Sequence, residues 1–228
     1  RIVNVGADLQ GCRDAVALAA QYPHIYAAAG IHPECINDTS PEALNEVEAL
    51  LDAPKVVAVG EIGLDYHFAD NAPREIQREW FARQLDLANR RGLPVIVHDR
   101  DAHGDTMELL QKYRPKGVVH CFSGSVEMAR EVVRLGMYIG LGGAVTFKNA
   151  RVPVEVAADV PLEHLLLETD APYMAPVPFR GKRCDSSMIA KTAERIAEIR
   201  GIPVEVLLKA TQRNAAKLFG IPLEEAST

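Results

Sequence analysis

The sequence predicts an α/β protein of the TIM type, a (β/α)8 barrel with the first strand absent and seven strands readable. Three observations carry that reading. Short apolar, β-branched runs alternate with helix-like stretches from the first residues to about Phe219. The length, 228 residues, is within the range of one such barrel, and a hydrophobic content of 48% can fill its core. Four of the apolar runs stop at a residue able to ligate a metal, as barrel strands do where their C-terminal ends surround one mouth.

The elements follow in order. IVNVGA (2–7) is the first readable strand, and an Ala-rich helix runs from about Leu9 to Tyr22. IYAAAGIHP (25–33) is the next strand. Ser40 and Pro41 open a helix, Ser as cap and Pro at the first helical position. A strand at 56–62 precedes a helix from about Pro73 to Arg91, stopped by Gly92. Strands at 94–98 and 117–121 bracket a helix near 104–113. A helix at 125–135, a strand at 138–142 and a short helical segment lead to a strand at 165–169. Two or three helices occupy the stretch from about Ser186 to Phe219. No linker, low-complexity tract or internal repeat interrupts the chain, so one metallo-hydrolase barrel domain is expected over 1–228. A closed barrel needs eight strands, and Arg1 leads straight into a strand. A first strand and helix are therefore expected to be missing from this sequence.

The strand ends carry the chemistry. VVAVGE stops at Glu61, PVIVH at His98, GVVH at His120 and LLLETD at Asp170. Side chains two apart share a strand face, so Glu61 follows Val59 and Val57, and His98 follows Ile96. A single histidine is usually a satisfied core or surface residue. Two His and two carboxylates at four strand ends form the ligand set of a divalent-metal hydrolase.

Composition sets the outer bounds. A net charge of −6 argues against a broad basic surface for nucleic acid, although bound cations would invert the local field at a metal site. No apolar stretch approaches a membrane span and no signal-peptide pattern opens the chain, so a cytoplasmic protein without a membrane partner is expected. Cys12, Cys35, Cys121 and Cys184 are scattered and read as free thiols.

The ordered motifs GIHP (30–33), VGEIGLDY (59–66), LPVIVHDRDA (93–102), GVVHCFSGS (117–125), LLLETDAPYMAP (165–176) and RGKR (180–183), ending in RNAAKLFGI (213–221), resemble the TatD family of metal-dependent deoxyribonucleases. The resemblance implies an amidohydrolase-like barrel with a two-metal phosphodiesterase site, whose Glu, two His and Asp ligands fall on Glu61, His98, His120 and Asp170. Two departures stand out. The family's opening strand carries a His-x-His pair that nothing here matches, which leaves Glu61 and Asp170 alone on one metal. Cys184-Asp185-Ser186 stands where the family usually has Asn-Glu-Pro, with Asp185 a stand-in for the acidic residue.

The expected mechanism follows. Glu61 bridges two divalent ions, and His98 and His120 complete one of them. Asp170 ligates the other and orients or deprotonates the attacking water. Imidazole ligands suit Mn or Zn better than Mg by softness, whereas the resemblance points to Mg. His32 ends its strand where it can contact the scissile phosphate, with loop packing as the alternative. Arg180, Lys182 and Arg183 form the dense basic cluster, read as phosphate steering by Arg180 and Arg183. Arg100 and Asp101 are read as a local pair, and Asp65 and Glu168 as carboxylates that orient ligands. His24, His67, His103 and His164 are read as surface residues, Cys35 and Cys121 as packing. A deoxyribonuclease with DNA as substrate and no obligate protein partner explains the ligands, basic loop and motifs together. The alternatives are a metal-dependent amidohydrolase acting on an amide or ester, and a non-catalytic barrel should the N-terminal segment be truly absent.

Overall fold

Seven strands and eight α-helices alternate through residues 1–223, the part described by the structure, a computed structural model. Residues 224–228 of the expected domain lie outside the described residues. The chain divides into two units, Arg1–Val118 and a second beginning at Val119.

The first unit holds β1 (Ile2–Val5), α1 (Leu9–Gln21), β2 (Ile25–Ala29), α2 (Ala43–Leu50), β3 (Val56–Asp65), α3 (Arg74–Arg91), β4 (Val95–Arg100) and α4 (His103–Tyr113). Strands β1 to β4 are parallel neighbours in chain order, as right-handed strand–helix–strand crossovers give. Asp8 caps α1 by accepting from the Gly11 N–H at 2.7 Å. Ser40 and Pro41 do not open α2. The Ser40 carbonyl accepts from the Ala43 N–H at 3.0 Å, so these residues form a turn and the helix starts at Ala43.

Helix α3 buries Trp80, Phe81 and Leu85, each worth roughly 1.5–3 kcal/mol by area removed from water. Gly92 ends it with φ +66°, a left-handed C-cap that glycine adopts without a Cβ penalty. Two of its buried residues are polar. Gln77 accepts from the Asp65 N–H at 2.8 Å and donates to the Asp65 carbonyl at 2.9 Å. Gln84 does the same to Ile31, at 2.8 and 3.0 Å. Seven residues apart, the two amides share one helix face, and each satisfies backbone groups that would otherwise be buried without partners.

Strand β3 runs to Asp65, three residues beyond its expected end. Gly63, just beyond the expected end at residue 62, is an internal strand position with φ +145°, opposite His98 on β4. A Cβ there would run into the His98 backbone, so only glycine lets the strands close.

Strand β5 (Gly117–Val119) spans the division between the units. The second unit continues with α5 (Val126–Arg134), β6 (Tyr138–Leu141), α6 (Arg151–Asp159), β7 (Leu165–Leu167), α7 (Ile189–Arg200) and α8 (Val204–Phe219). Ser125 caps α5, its Oγ 3.3 Å from the Met128 N–H. Strands β6 and β7 are parallel, Ile139 opposite Leu165. Asn214 of α8 donates to the carbonyls of Leu162 and Leu165, both at 2.8 Å, and so fixes the start of β7. β7 stops at Leu167, which leaves Asp170 in the following loop rather than at a strand end.

Candidate metal centre

Glu61 and His98 come from the middle of β3 and the end of β4, and His32 from just beyond β2. Each brings one ligand atom within 4.8 Å of the others, which among the described residues makes a group of three that could hold a metal ion. Glu61 Oε1 is 3.1 Å from His98 Nδ1 and 3.4 Å from His32 Nε2. The two imidazole rings meet edge-on with centroids 4.4 Å apart.

Hydrogen bonding assigns each ring a tautomer. His98 Nε2 faces Asp65 Oδ2 at 2.9 Å, and an ionised carboxylate only accepts, so the proton sits on Nε2. The Nδ1 lone pair is then directed at Glu61. Asp65 is fully buried, and burial pushes its carboxyl up. The hydrogen bonds from His98 and from the His67 N–H outweigh this and hold it below the usual carboxylate range. In His32 the pattern is reversed. Nδ1 accepts from the Glu34 N–H at 3.2 Å, which leaves the proton on Nε2, pointing towards Glu61. His98 therefore offers a ligand lone pair, while His32 offers a donor.

The second unit places the remaining candidates. His120 directly follows β5, its Nδ1 3.8 Å from Glu168 Oε1. The same Glu168 oxygen accepts from the Cys121 N–H at 2.5 Å, and Cys121 turns left-handed with φ +44°. Gly140 makes room for this carboxylate, since a Cβ would lie 2.5 Å from Glu168 Oε2. The Asp170 carbonyl accepts from the Tyr173 N–H at 2.6 Å, closing a backbone turn. Arg180 is exposed and lies over the Phe147 ring at 3.8 Å, and Arg183 is exposed. His120 and Asp170 belong to no group of three candidate ligands among the described residues. Asp185, expected to replace an acidic family residue, caps the turn at 186–188 by accepting from the Ser187 N–H at 2.9 Å.

A family model, TatD related DNase, matches residues 1–220. The chain belongs to the TatD-related DNase family. It is 43% identical over 97% of its length to the uncharacterised metal-dependent hydrolase YabD of Bacillus subtilis, covering 88% of that protein. It is 36% identical to the 3'-5' ssDNA/RNA exonuclease TatD of Citrobacter rodentium, over 97% of this chain and 87% of that one. The crystal structure of YjjV, a TatD homologue from Escherichia coli K12, superposes with a TM-score of 0.92 at 37% identity, over 97% and 87% of the two chains. The fold is thus α/β of the TIM type with seven strands among the described residues, and the protein is a metal-dependent hydrolase.

The TatD-family centre fits a divalent metal on its own chemistry. A lone pair on His98 Nδ1 and a carboxylate oxygen of Glu61 stand 3.1 Å apart, two acceptors that repel unless a cation or proton lies between them. Asp65 supplies the second-sphere hydrogen bond that metal-ligating histidines make. From the sequence, His32 reads as a phosphate contact, with loop packing as the alternative. The structure puts it beside Glu61, as a donor. Arg100 and Asp101 do not pair: Arg100 lies over the Phe68 ring and Asp101 pairs with His67 at 2.8 Å. His103 is tied to Asp99 at 2.6 Å and His164 to the Met137 carbonyl at 2.9 Å, so both have structural partners that their positions in loops and helix starts did not announce.

Proposed function

We propose that the protein is a deoxyribonuclease that cleaves phosphodiester bonds of DNA with a metal-activated water. The observation that carries this reading is the His98–Glu61 pair held by Asp65, in a family that includes relatives named as ssDNA/RNA exonucleases. Glu61, His98, His120 and Asp170 are the proposed metal ligands, and Glu61 and Asp170 the catalytic residues. Two divalent ions are proposed, with imidazole donors favouring Mn or Zn over Mg.

When bound, the metal supplies acidity to water and neutralises charge on the phosphodiester oxygens. Glu61 would contribute its carboxylate, and His98 its Nδ1 lone pair, to holding the metal. Asp170 orients the attacking water and takes its proton at the carboxylate. His32, protonated on Nε2, donates to a non-bridging phosphate oxygen. Arg180 and Arg183 draw the polyanion towards the centre against a net charge of −6. Among the described residues no helix is long and apolar enough to cross a membrane. Its four free cysteines favour a reducing, cytoplasmic setting.

The test is hydrolysis of single-stranded DNA and of bis(p-nitrophenyl) phosphate by metal-loaded protein. Chelator should abolish both, and Glu61→Gln and Asp170→Asn should each lose on the order of 10²–10³ or more in kcat while remaining folded. Robust amide or ester hydrolysis with no phosphodiesterase activity would replace the nuclease reading with the amidohydrolase one.

A further inference from the structure

The end of β4 carries a cation that the mechanism above does not use. Arg100 is two residues beyond His98 and shares its strand face, because successive strand side chains alternate. The residue between them faces the other way. Asp99 is buried against α4, where it meets His103 Nδ1 at 2.6 Å and accepts from Thr106 Oγ1 at 3.0 Å. Arg100 therefore projects from the same side of the strand as the metal-capable centre, about 7 Å further along at the usual rise per residue.

Its surroundings hold the guanidinium without a direct ion pair, the buried Asp65 carboxylate acting on it only through space. The group lies over the Phe68 ring, 4.8 Å from the centroid, and Phe68 is 42% exposed. His67 packs edge-on against Phe68 with centroids 4.9 Å apart, and its Nδ1 engages the neighbouring Asp101 at 2.8 Å. Asp101 takes a left-handed conformation, φ +55°, and is paired there. Among the described residues Arg100 makes no ion pair. An exposed guanidinium stacked on an aromatic face loses little freedom when it binds a second group through its edge. Its donors match two phosphate oxygens at once.

We infer that Arg100, seated on Phe68, is a binding subsite for the phosphate adjacent to the scissile one. The spacing from His98 is comparable with that between consecutive phosphates of an extended strand. Phe68, itself partly exposed, offers an apolar contact to the intervening nucleoside. The inference rests on the phosphodiesterase reading above and adds to it a requirement: the preferred substrate carries at least two consecutive phosphates.

The subsite is tested by binding as well as by turnover. Equilibrium binding of a labelled thymidine hexanucleotide is measured by fluorescence anisotropy across a salt series, with chelator present so that no turnover occurs. Arg100→Met should weaken binding about tenfold. It should also flatten the slope of log affinity against log salt by about 0.7, the loss of one phosphate contact on a single strand. Arg100→Lys should retain the slope but not the full affinity, since it keeps the charge and loses the planar fork. In turnover, the fall in kcat/KM for Arg100→Met should be at least about tenfold larger on the hexanucleotide than on bis(p-nitrophenyl) phosphate, and should lie mainly in KM. An unchanged salt slope, or equal losses on the two substrates, would overturn the subsite. Absence of phosphodiester hydrolysis by the wild type counts against the nuclease reading, whereas the salt slope judges Arg100 separately.

Discussion

The two units present their candidate ligands in different ways. In the first, Glu61, Asp65 and His98 lie within β3 and β4, and Gln77 of α3 holds the Asp65 backbone. In the second, His120, Glu168 and Asp170 all fall beyond the ends of the three-residue strands that precede them, β5 and β7. Their positions depend on turns, including left-handed Cys121 and Met174 at φ +44° and +51°. A ligand inside a strand takes its orientation from the ladder and the packing beneath it, so it is fixed before any cation arrives. A ligand in a turn is fixed by one or two hydrogen bonds. The first unit should thus tolerate backbone change poorly and the second should be more forgiving.

The sharpest way to break that contrast is to add one methyl group to each unit. Gly63→Ala drives a Cβ into the His98 backbone at a positive φ and should cost on the order of 3 kcal/mol or more, or prevent folding. Gly181→Ala has a positive φ too, +82°, but nothing within 4 Å, and should cost about 1 kcal/mol. Urea unfolding compares them directly, and similar costs would show that the loop is as constrained as the strand. A second contrast concerns orientation of the imidazoles. Asp65→Asn should weaken Mn²⁺ binding about 10–100-fold by calorimetry. Glu168→Gln, whose oxygen is 3.8 Å from His120, should cost less than about tenfold. The reverse order would mean that the turn-borne histidine depends more on its partner.

A third prediction concerns pH. The Tyr66 hydroxyl donates to Asp105 Oδ2 at 2.6 Å. Burial and this bond push the phenol well above its ordinary value, while the same bond, with help from Arg78, holds the Asp105 carboxyl low. A raised phenol contributes stability below its unfolded value of about 10, lost as pH climbs through the folded one. A lowered carboxyl contributes above its unfolded value of about 3.9, lost as pH falls through the folded one. The melting-temperature difference between wild type and Tyr66→Phe should therefore be flat from about pH 5 to 9 and shrink in stronger acid. A steady slope across neutral pH would contradict the assignment. The smallest effects belong to exposed ion pairs, where the units should not differ. Arg13→Ala, which removes the 2.6 Å contact with Glu46, and Lys191→Ala, which removes the 2.7 Å contact with Glu194, should each change stability by less than about 1 kcal/mol.

Much of this was legible in the sequence, for local reasons. Alternating apolar runs located all seven strands, and Gly92 marked the end of α3 because a left-handed C-cap is a property of one residue type. What was misread depended on neighbours far along the chain. The strand read as 56–62 runs on to Asp65 because β4 lies beside it and pairs with Gly63, Leu64 and Asp65. Asp101 looks like the partner of Arg100 until its own left-handed backbone carries it to His67. The proton on His32 is set by a backbone N–H two residues on, which no residue pattern announces. Ser40-Pro41 has the right residues for a helix start, yet the chain uses them in a turn. Of the four strand-end ligands, Glu61 and His98 were readable as a pair because strand periodicity governs both. Asp170 was harder to place because β7 ends before it.

The two glutamines of α3 have a consequence in exchange kinetics. The amides of Ile31 and Asp65 donate to side-chain oxygens of a helix and not to a neighbouring strand. Each can meet solvent only when α3 lifts from the sheet, and one helix carries both clamps. The two deuterium exchange rates, although the amides are 34 residues apart in the sequence, should report a single opening event and share one free energy. The segment leading into His32 and the carboxylate that orients His98 are thereby released together or not at all.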